Sequence, residues 1–349
     1  MSDEQSQGDT DGDVVTVAHG SGSGRTRDFL DERVVPRFDG DGDLPVGLSA
    51  LDDGAVHNIG DQSVVVTTDS HVVSPLSFPG GDIGRLAVAG TVNDLAVMGA
   101  TEPLSLTCSL VVEAGTPVDL LDAILDSMER TCEAAGCAIT TGDTKVMGSG
   151  EVDGVVINTT GVGLVPTGEH VPDAGLSPGD KLVLSGPVGD HGITLLAERE
   201  GFDIEGDLES DVAPVNDIVA AALDAGQVTA MKDPTRGGFA TAVNEMVRKA
   251  EVGATLDEPA IPVRDPVAST GELLGIDPLD VANEGKVLFG VASEDADSVL
   301  DAIREVPGGE EAALVGEVTD ENRGRVVLDT GFGQRYLSEP EGEQLPRIC

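Results

Sequence analysis

The chain has 349 residues, enough for about two domains at roughly 150 residues each, with 40% hydrophobic, 24% charged and only 2% aromatic residues. Such a composition is globular with an aliphatic core. Sixty-four acidic against 20 basic residues give a net charge of −44, which repels nucleic-acid phosphates and anionic lipid surfaces and disfavours both as partners. Self-repulsion on that scale points to a halophilic protein that folds in high salt.

No run approaches the about 18 apolar residues of a membrane span, and the opening stretch to Asp13 is polar and acidic where a secretory signal would be basic and then apolar. A cytoplasmic protein is expected. Residues 1–43 read as a flexible acidic, glycine-rich arm. The segment from His19 to Gly24 within it is either a linker or a loop that folds over a phosphate.

Residues 44–170 form the first expected domain. The β-branched run Val64–Thr68, ending in Asp69, predicts a strand over 61–69. Asp82 caps a predicted helix carrying Ile83, Leu86, Ala87, Val92, Leu95 and Ala96 at helical spacing. A buried strand over 104–112, an amphipathic helix over 117–136 and strands over 138–141 and 154–164 follow. The turn at 175–180 leads into a second mixed domain, 171–335, with strands over 181–185, 285–291 and 325–329 and helices through Arg199, over 214–225 and over 238–250. Residues 336–349 lack periodicity and predict a mobile tail.

Of the four cysteines, Cys108, Cys132 and Cys137 suit small buried hydrophobes, none forms a zinc knuckle, and Cys349 ends the chain. Five lysines remain, at 145, 181, 232, 249 and 286; with so few, each is a candidate for a specific role. His71 and His191 have no ligand spacing and suit polar structural roles.

No Walker A loop occurs, and no GxGxxG opens a helix with an acid at the ribose distance. A nucleotide would instead be held through Mg²⁺ by carboxylates. Asp52, Asp53, Asp69, Asp94 and Asp143 each adjoin an apolar stretch, where an unpaired charge is costly.

The segments TTDSH at 67–71, FPGGDIG at 78–84, GTVNDLAVMG at 90–99, TGDTK at 141–145, DPTRGG at 233–238, ANEGK at 282–286 and the terminal PRIC at 346–349 closely resemble the HypE family of hydrogenase maturation proteins. That family lies within the aminoimidazole ribonucleotide synthetase, or PurM-like, superfamily. The match runs from about His19 to Cys349. It departs at the glycine-rich segment, HGSGSGR here against HGSGG, and at LDDGAVHNIG, which lacks part of the family's DDGAAV run.

The resemblance implies a two-domain α+β PurM-like fold. Its N-terminal sheet domain forms a barrel in a homodimer, and a C-terminal α/β domain and mobile tail follow. It implies a carbamoyl dehydratase using ATP and Mg²⁺ to convert an S-carboxamide on Cys349 into an S-thiocyanate, the source of cyanide for the hydrogenase iron. A HypF-like carbamoyltransferase and a HypC–HypD-like iron scaffold are the implied partners. Asp53, Asp69, Asp94 and Asp143 correspond to Mg²⁺–ATP carboxylates, with Asp52 beside them and Asn93 as a polar companion. Asp233, Arg236, Gly237 and Gly238 correspond to a phosphate-proximal turn opening a helix, and Lys145 and Glu284 to the groups that handle charge and protons at the carboxamide. Two alternatives stand beside this reading: another ATP-dependent kinase of the superfamily, such as thiamine monophosphate kinase, and a non-catalytic maturation scaffold.

Overall fold

The computed structural model describes residues 14–20, 24–38, 40, 42, 44–202 and 208–340. Within the stretch expected to be a flexible arm, α1 (Gly24–Phe29), a π-helical turn (Leu30–Val34) and α2 (Val35–Phe38) form a helical segment. This corrects the expectation of an arm extending through residue 43. The helix is held from outside its own sequence: Arg27 pairs with Glu245 at 3.4 Å and Glu339 at 2.9 Å.

The first sheet comprises β1 (Ala55–Ile59), β2 (Gln62–His71), β5 (Pro103–Glu113), β6 (Ile139–Met147) and β7 (Val155–Pro166), in the order β1-β2-β7-β5-β6. A two-residue hairpin, β3 (Ser77–Phe78) and β4 (Gly81–Asp82), precedes α3 (Ile83–Val97). Asp82 caps α3 as its sequence predicts, accepting from the Gly84 N–H at 2.7 Å and the Arg85 N–H at 3.0 Å. The second helix of this unit is α4 (Val118–Ala134). Only β5–β6 is a parallel pair in this sheet. β6 occupies an edge, and all nine of its residues are exposed.

The second unit contains β8 (Lys181–Leu184), α5 (Asp190–Glu200), α6 (Asn216–Ala225), β9 (Val228–Lys232), α7 (Gly238–Lys249), β10 (Gly253–Asp257), α8 (Asp265–Leu274), β11 (Leu288–Val291), α9 (Ala296–Arg304), β12 (Ala313–Thr319), β13 (Val326–Asp329) and β14 (Gln334–Leu337). Its seven-stranded sheet runs β14-β13-β10-β12-β8-β11-β9. β14 corrects the expected start of the mobile tail. It pairs antiparallel with β13 and buries Leu337, so the chain stays in the sheet beyond residue 335.

The two units share apolar packing. Leu86 and Val92 of α3 and Ile124 of α4 belong to one buried cluster with Ile193 of α5, Val212 and Val281. Burial at about 25 cal/mol per Å² makes such a shared core the main force holding the units in register, and it fixes the walls of the cleft between them. No helix of the described residues is long and apolar enough to cross a membrane.

Candidate active site

Five carboxylates converge where the units meet, each delivered by a different segment. Asp53 follows a turn in which Leu51 takes a left-handed φ of +47°; Asp69 lies on β2, Asp94 on α3, Asp233 just after β9, and Glu284 in the loop before β11. A strand end, a helix and three loops reach one place because the sheets and α3 are packed rigidly behind them.

The electrostatics are those of crowded acids. Burial, followed by the charges of Asp233, Asp69 and Asp53, pushes the Asp94 carboxyl well above its ordinary range; Thr67 Oγ1 donates to it at 2.6 Å and partly offsets the rise. Asp233 is pushed up to about 7 by burial and then by Asp53. Glu284, 2% exposed, is raised well above the carboxylate range by burial and by Asp233, Asp69 and Asp211, and its Oε1 has no hydrogen-bond partner. Asp69 goes the other way: burial raises it, but the His71 ring and the Arg236 guanidinium more than compensate and keep it below the usual range. His71 is buried with its Nε2 3.7 Å from Asp69 and neither ring nitrogen hydrogen-bonded.

Two lysines compensate part of this charge. Lys232 Nζ lies 2.8 Å from Asp53 Oδ1 and 3.4 Å from Asp173 Oδ2. Lys249 Nζ lies 2.6 Å from Asp173 Oδ2 and donates to the Leu51 carbonyl at 2.6 Å. The loop bearing Asp53 is thereby tied to the second unit. Asp52 joins the same network, accepting from the Asp173 N–H at 3.3 Å, and burial and Asp53 push its carboxyl up to about 7.

A cavity of about 370 Å³ opens beside Asp53 and Asp233, bounded by Arg27, Arg236, Gly238 and Thr241 among others. Gly237 and Gly238, at φ +77° and +64°, open α7 at its wall. A Cβ on Gly237 would lie 2.2 Å from Thr241 Oγ1, and one on Gly238 would lie 2.5 Å from the Val281 carbonyl. Only glycine makes this approach, and it brings the start of a 12-residue helix to the cavity, with the Gly238 N–H donating to the Thr235 carbonyl at 2.9 Å.

The remaining expected residues divide. Asn93 is buried, and its amide is spent on backbone: it donates to the carbonyls of Ala213 and Glu284 and accepts from the Val215 N–H. It holds the Glu284 loop against α3. Asp143 and Lys145 pair with each other at 2.5 Å on the exposed edge strand β6 and do not join the buried cluster within one chain. Among the described residues no three His, Cys, Asp or Glu side chains sit close enough to form a metal-binding group, so the expected metal set of Asp53, Asp69, Asp94 and Asp143 is not gathered as a cage. Cys349 lies outside the described residues.

Sequence reasoning assigned no role to Lys232, Asp173 or Asp211. Lys232 had a signal, since it is one of five lysines and adjoins Asp233. Asp211 had none: it reaches the site only by tertiary folding, accepting from the Glu284 N–H at 3.0 Å and pairing with Lys286 at 3.3 Å.

A buried ring of carboxylates on a two-unit α+β frame defines a class. Residues 51–165 match the family model described as AIR synthase related protein, N-terminal domain, and residues 177–329 match the model for its C-terminal domain; this is the PurM-like fold. A carbamoyl dehydratase HypE from Azotobacter vinelandii is 44% identical over 337 residues, covering 96% of this chain and 97% of the relative. A solved HypE–HypF complex matches with a TM-score of 0.83 at 38% identity, over 89% of this chain and 99% of that one. A HypE solved in complex with ATP matches with a TM-score of 0.80 at 39% identity, over 96% of this chain and all of the other. The chain belongs to the HypE family of hydrogenase maturation proteins.

Proposed function

We propose that this protein is an ATP-dependent carbamoyl dehydratase that converts an S-carboxamide on its own Cys349 into an S-thiocyanate, the donor of cyanide to the hydrogenase iron. The observation that carries the reading is Glu284: a buried carboxyl with one oxygen unpartnered, its pKa driven up by burial and then by the neighbouring acids. A carboxylate in that state is suited to accept a proton. The relatives named above supply the family context, including a HypE bound to ATP and one bound to HypF.

The residues present fit a magnesium nucleotide. The donors are oxygens, Asp53 Oδ2 is buried and unpartnered, and burial followed by mutual repulsion raises Asp94 and Asp233. Mg²⁺ favours one or two carboxylates supplemented by phosphate and water over an all-protein cage, which suits acids spread around a cleft. Asp53, Asp69, Asp94 and Asp233 would hold the ion or ions, and the start of α7 would lie beside the phosphates. Bound Mg²⁺–ATP supplies the phosphoryl group that makes the carboxamide oxygen a leaving group. Phosphorylation of that oxygen releases one N–H proton to solvent; Glu284 then takes the second as phosphate departs with the oxygen, and the carbon–nitrogen bond becomes a nitrile. Loss of two protons and the oxygen accounts for the net removal of water.

Lys145 steadies the carboxamide oxygen in this scheme, and it requires a second surface. β6 presents an unpaired, fully exposed edge, and an edge of that kind is a template for another chain. A homodimer joined through the first sheet would cover β6 and enclose Lys145 and Asp143. A HypF-like transferase would load Cys349, and a HypC–HypD-like scaffold would receive the cyanide. A small-molecule kinase on the same frame would use the acids but have no need of a terminal thiol.

Glu284→Gln tests the assignment. Nucleotide binding is expected to persist, while dehydration of a carbamoylated tail falls by about 10²–10⁴-fold, the usual contribution of a general base. Dehydration at the wild-type rate would remove Glu284 from the mechanism.

A further inference from the structure

Away from the carboxylates, the end of α4 holds a second group of reactive side chains. The helix closes in a left-handed turn: Gly136 has φ +65°, its N–H donates to the Glu133 carbonyl at 3.2 Å, and the Cys137 N–H reaches back to the Cys132 carbonyl at 2.9 Å. These two bonds define a Schellman closure, which sets the third residue from the helix end beside the second residue after its cap. Hydrophobic side chains commonly meet there; in this chain both are cysteines, and Cys137 packs against the apolar cluster that buries Cys132. The backbone bond between the two residues keeps them at short range, and a disulfide asks for about 4.4–6.8 Å between α-carbons.

The two thiols are unequal. Cys132 is buried, whereas Cys137 is half-buried and reaches the surface. The neighbouring Cys137 draws the Cys132 thiol below its ordinary value, while Cys132 and burial hold Cys137 up. Beneath them on β5, Cys108 is raised by burial and then by Cys132, which keeps it a thiol. The lower pKa marks Cys132 as the attacking group and the surface thiol as the one that resolves it.

We propose that Cys132 and Cys137 form a dithiol site at which a peroxide closes an intrachain disulfide. The Cys132 thiolate attacks one peroxide oxygen; the O–O bond breaks, an S–O bond forms, and the departing hydroxide takes a proton to become water. The Cys137 sulfur then attacks the Cys132 sulfenic acid, forming the S–S bond and releasing the second oxygen as water with the thiol proton. Two thiols are oxidised, one peroxide is reduced, and two waters leave. The closed turn sits two residues before β6, the strand that carries Asp143 and Lys145, so the bond would pin the entry to that strand.

The test uses the full-length protein in concentrated potassium chloride. It is treated with one equivalent of hydrogen peroxide whose activity is checked on a free thiol peptide, then alkylated and digested with trypsin. Cleavage after Arg130 and Lys145 gives one peptide holding Cys132 and Cys137 and no other cysteine. That peptide is expected to lose two hydrogens, take up no alkyl group, and regain both alkylation sites after dithiothreitol. In Cys137→Ser, a dimedone-reactive sulfenic acid is expected at Cys132. Alkylation of both thiols after treatment, or a bond from either to Cys108 or Cys349 instead, would overturn the proposal, and the wild-type digest decides it even if the variant fails to fold.

Discussion

The buried carboxylates and the Asp143–Lys145 pair are both acidic sequence motifs beside apolar runs, yet the fold treats them oppositely. Asp94, Asp233 and Glu284 are enclosed by two units of one chain, and burial with like charge raises all three. Asp143 and Lys145 stand on an open edge, where the lysine hydrogen bond and the Thr144 N–H hold Asp143 below its usual range. One region is under electrostatic stress that a bound cation would relieve; the other is relaxed and exposed. In the homodimer proposed above, a single chain would supply the charge-binding half of the site, and the edge strand would be covered by the second copy.

The sharpest way to break this comparison is Asp233→Asn. An acid whose folded pKa is raised binds more protons folded than unfolded between the two values, so its contribution to stability falls as pH rises from 3.8 to about 7. Removing the charge should therefore raise Tm at pH 8, by on the order of 5 °C, while leaving it unchanged near pH 3 and abolishing Mg²⁺–ATP binding. Calorimetry showing a loss of stability at pH 8 would mean that Asp233 is paired and not stressed. Lys145→Ala should do the reverse: stability unchanged, because the side chain is 64% exposed, with dehydration slowed by on the order of 10²-fold. An equal rate would leave the edge pair without a role. The smallest effect belongs to the net charge of −44. Raising potassium chloride from dilute to molar should raise Tm by screening, and a flat profile would contradict the high-salt reading.

Local chemistry made much of the first unit legible. Asp82 and the spacing of Ile83, Leu86 and Leu95 fixed the start and buried face of α3, because a cap and a helical period are properties of contiguous residues. β6 was read only as far as residue 141; its continuation to Met147 is exposed and exists through parallel pairing with β5. β9, β10 and β12 went unread for a similar reason, being short strands stabilised by partners distant in sequence. The short α8 and α9 went unread as well. The ordered ends of the chain were also invisible: the helix at 24–29 and Glu339 meet through Arg27, and Arg248 also binds Glu339. In the site, the motif acids were recognisable one by one, but the lysine counter-charges and Asp211 emerged only when the two units came together.

The most direct test of the account is mass spectrometry of the C-terminal peptide carrying Cys349. The protein is incubated in high salt with a HypF-type transferase, carbamoyl phosphate and Mg²⁺–ATP. The account predicts a carbamoyl adduct on Cys349 that loses one water in the wild type and persists intact in Glu284→Gln. A Cys349 left unmodified by a transferase shown to be active, or an adduct that loses water equally in both proteins, would contradict it.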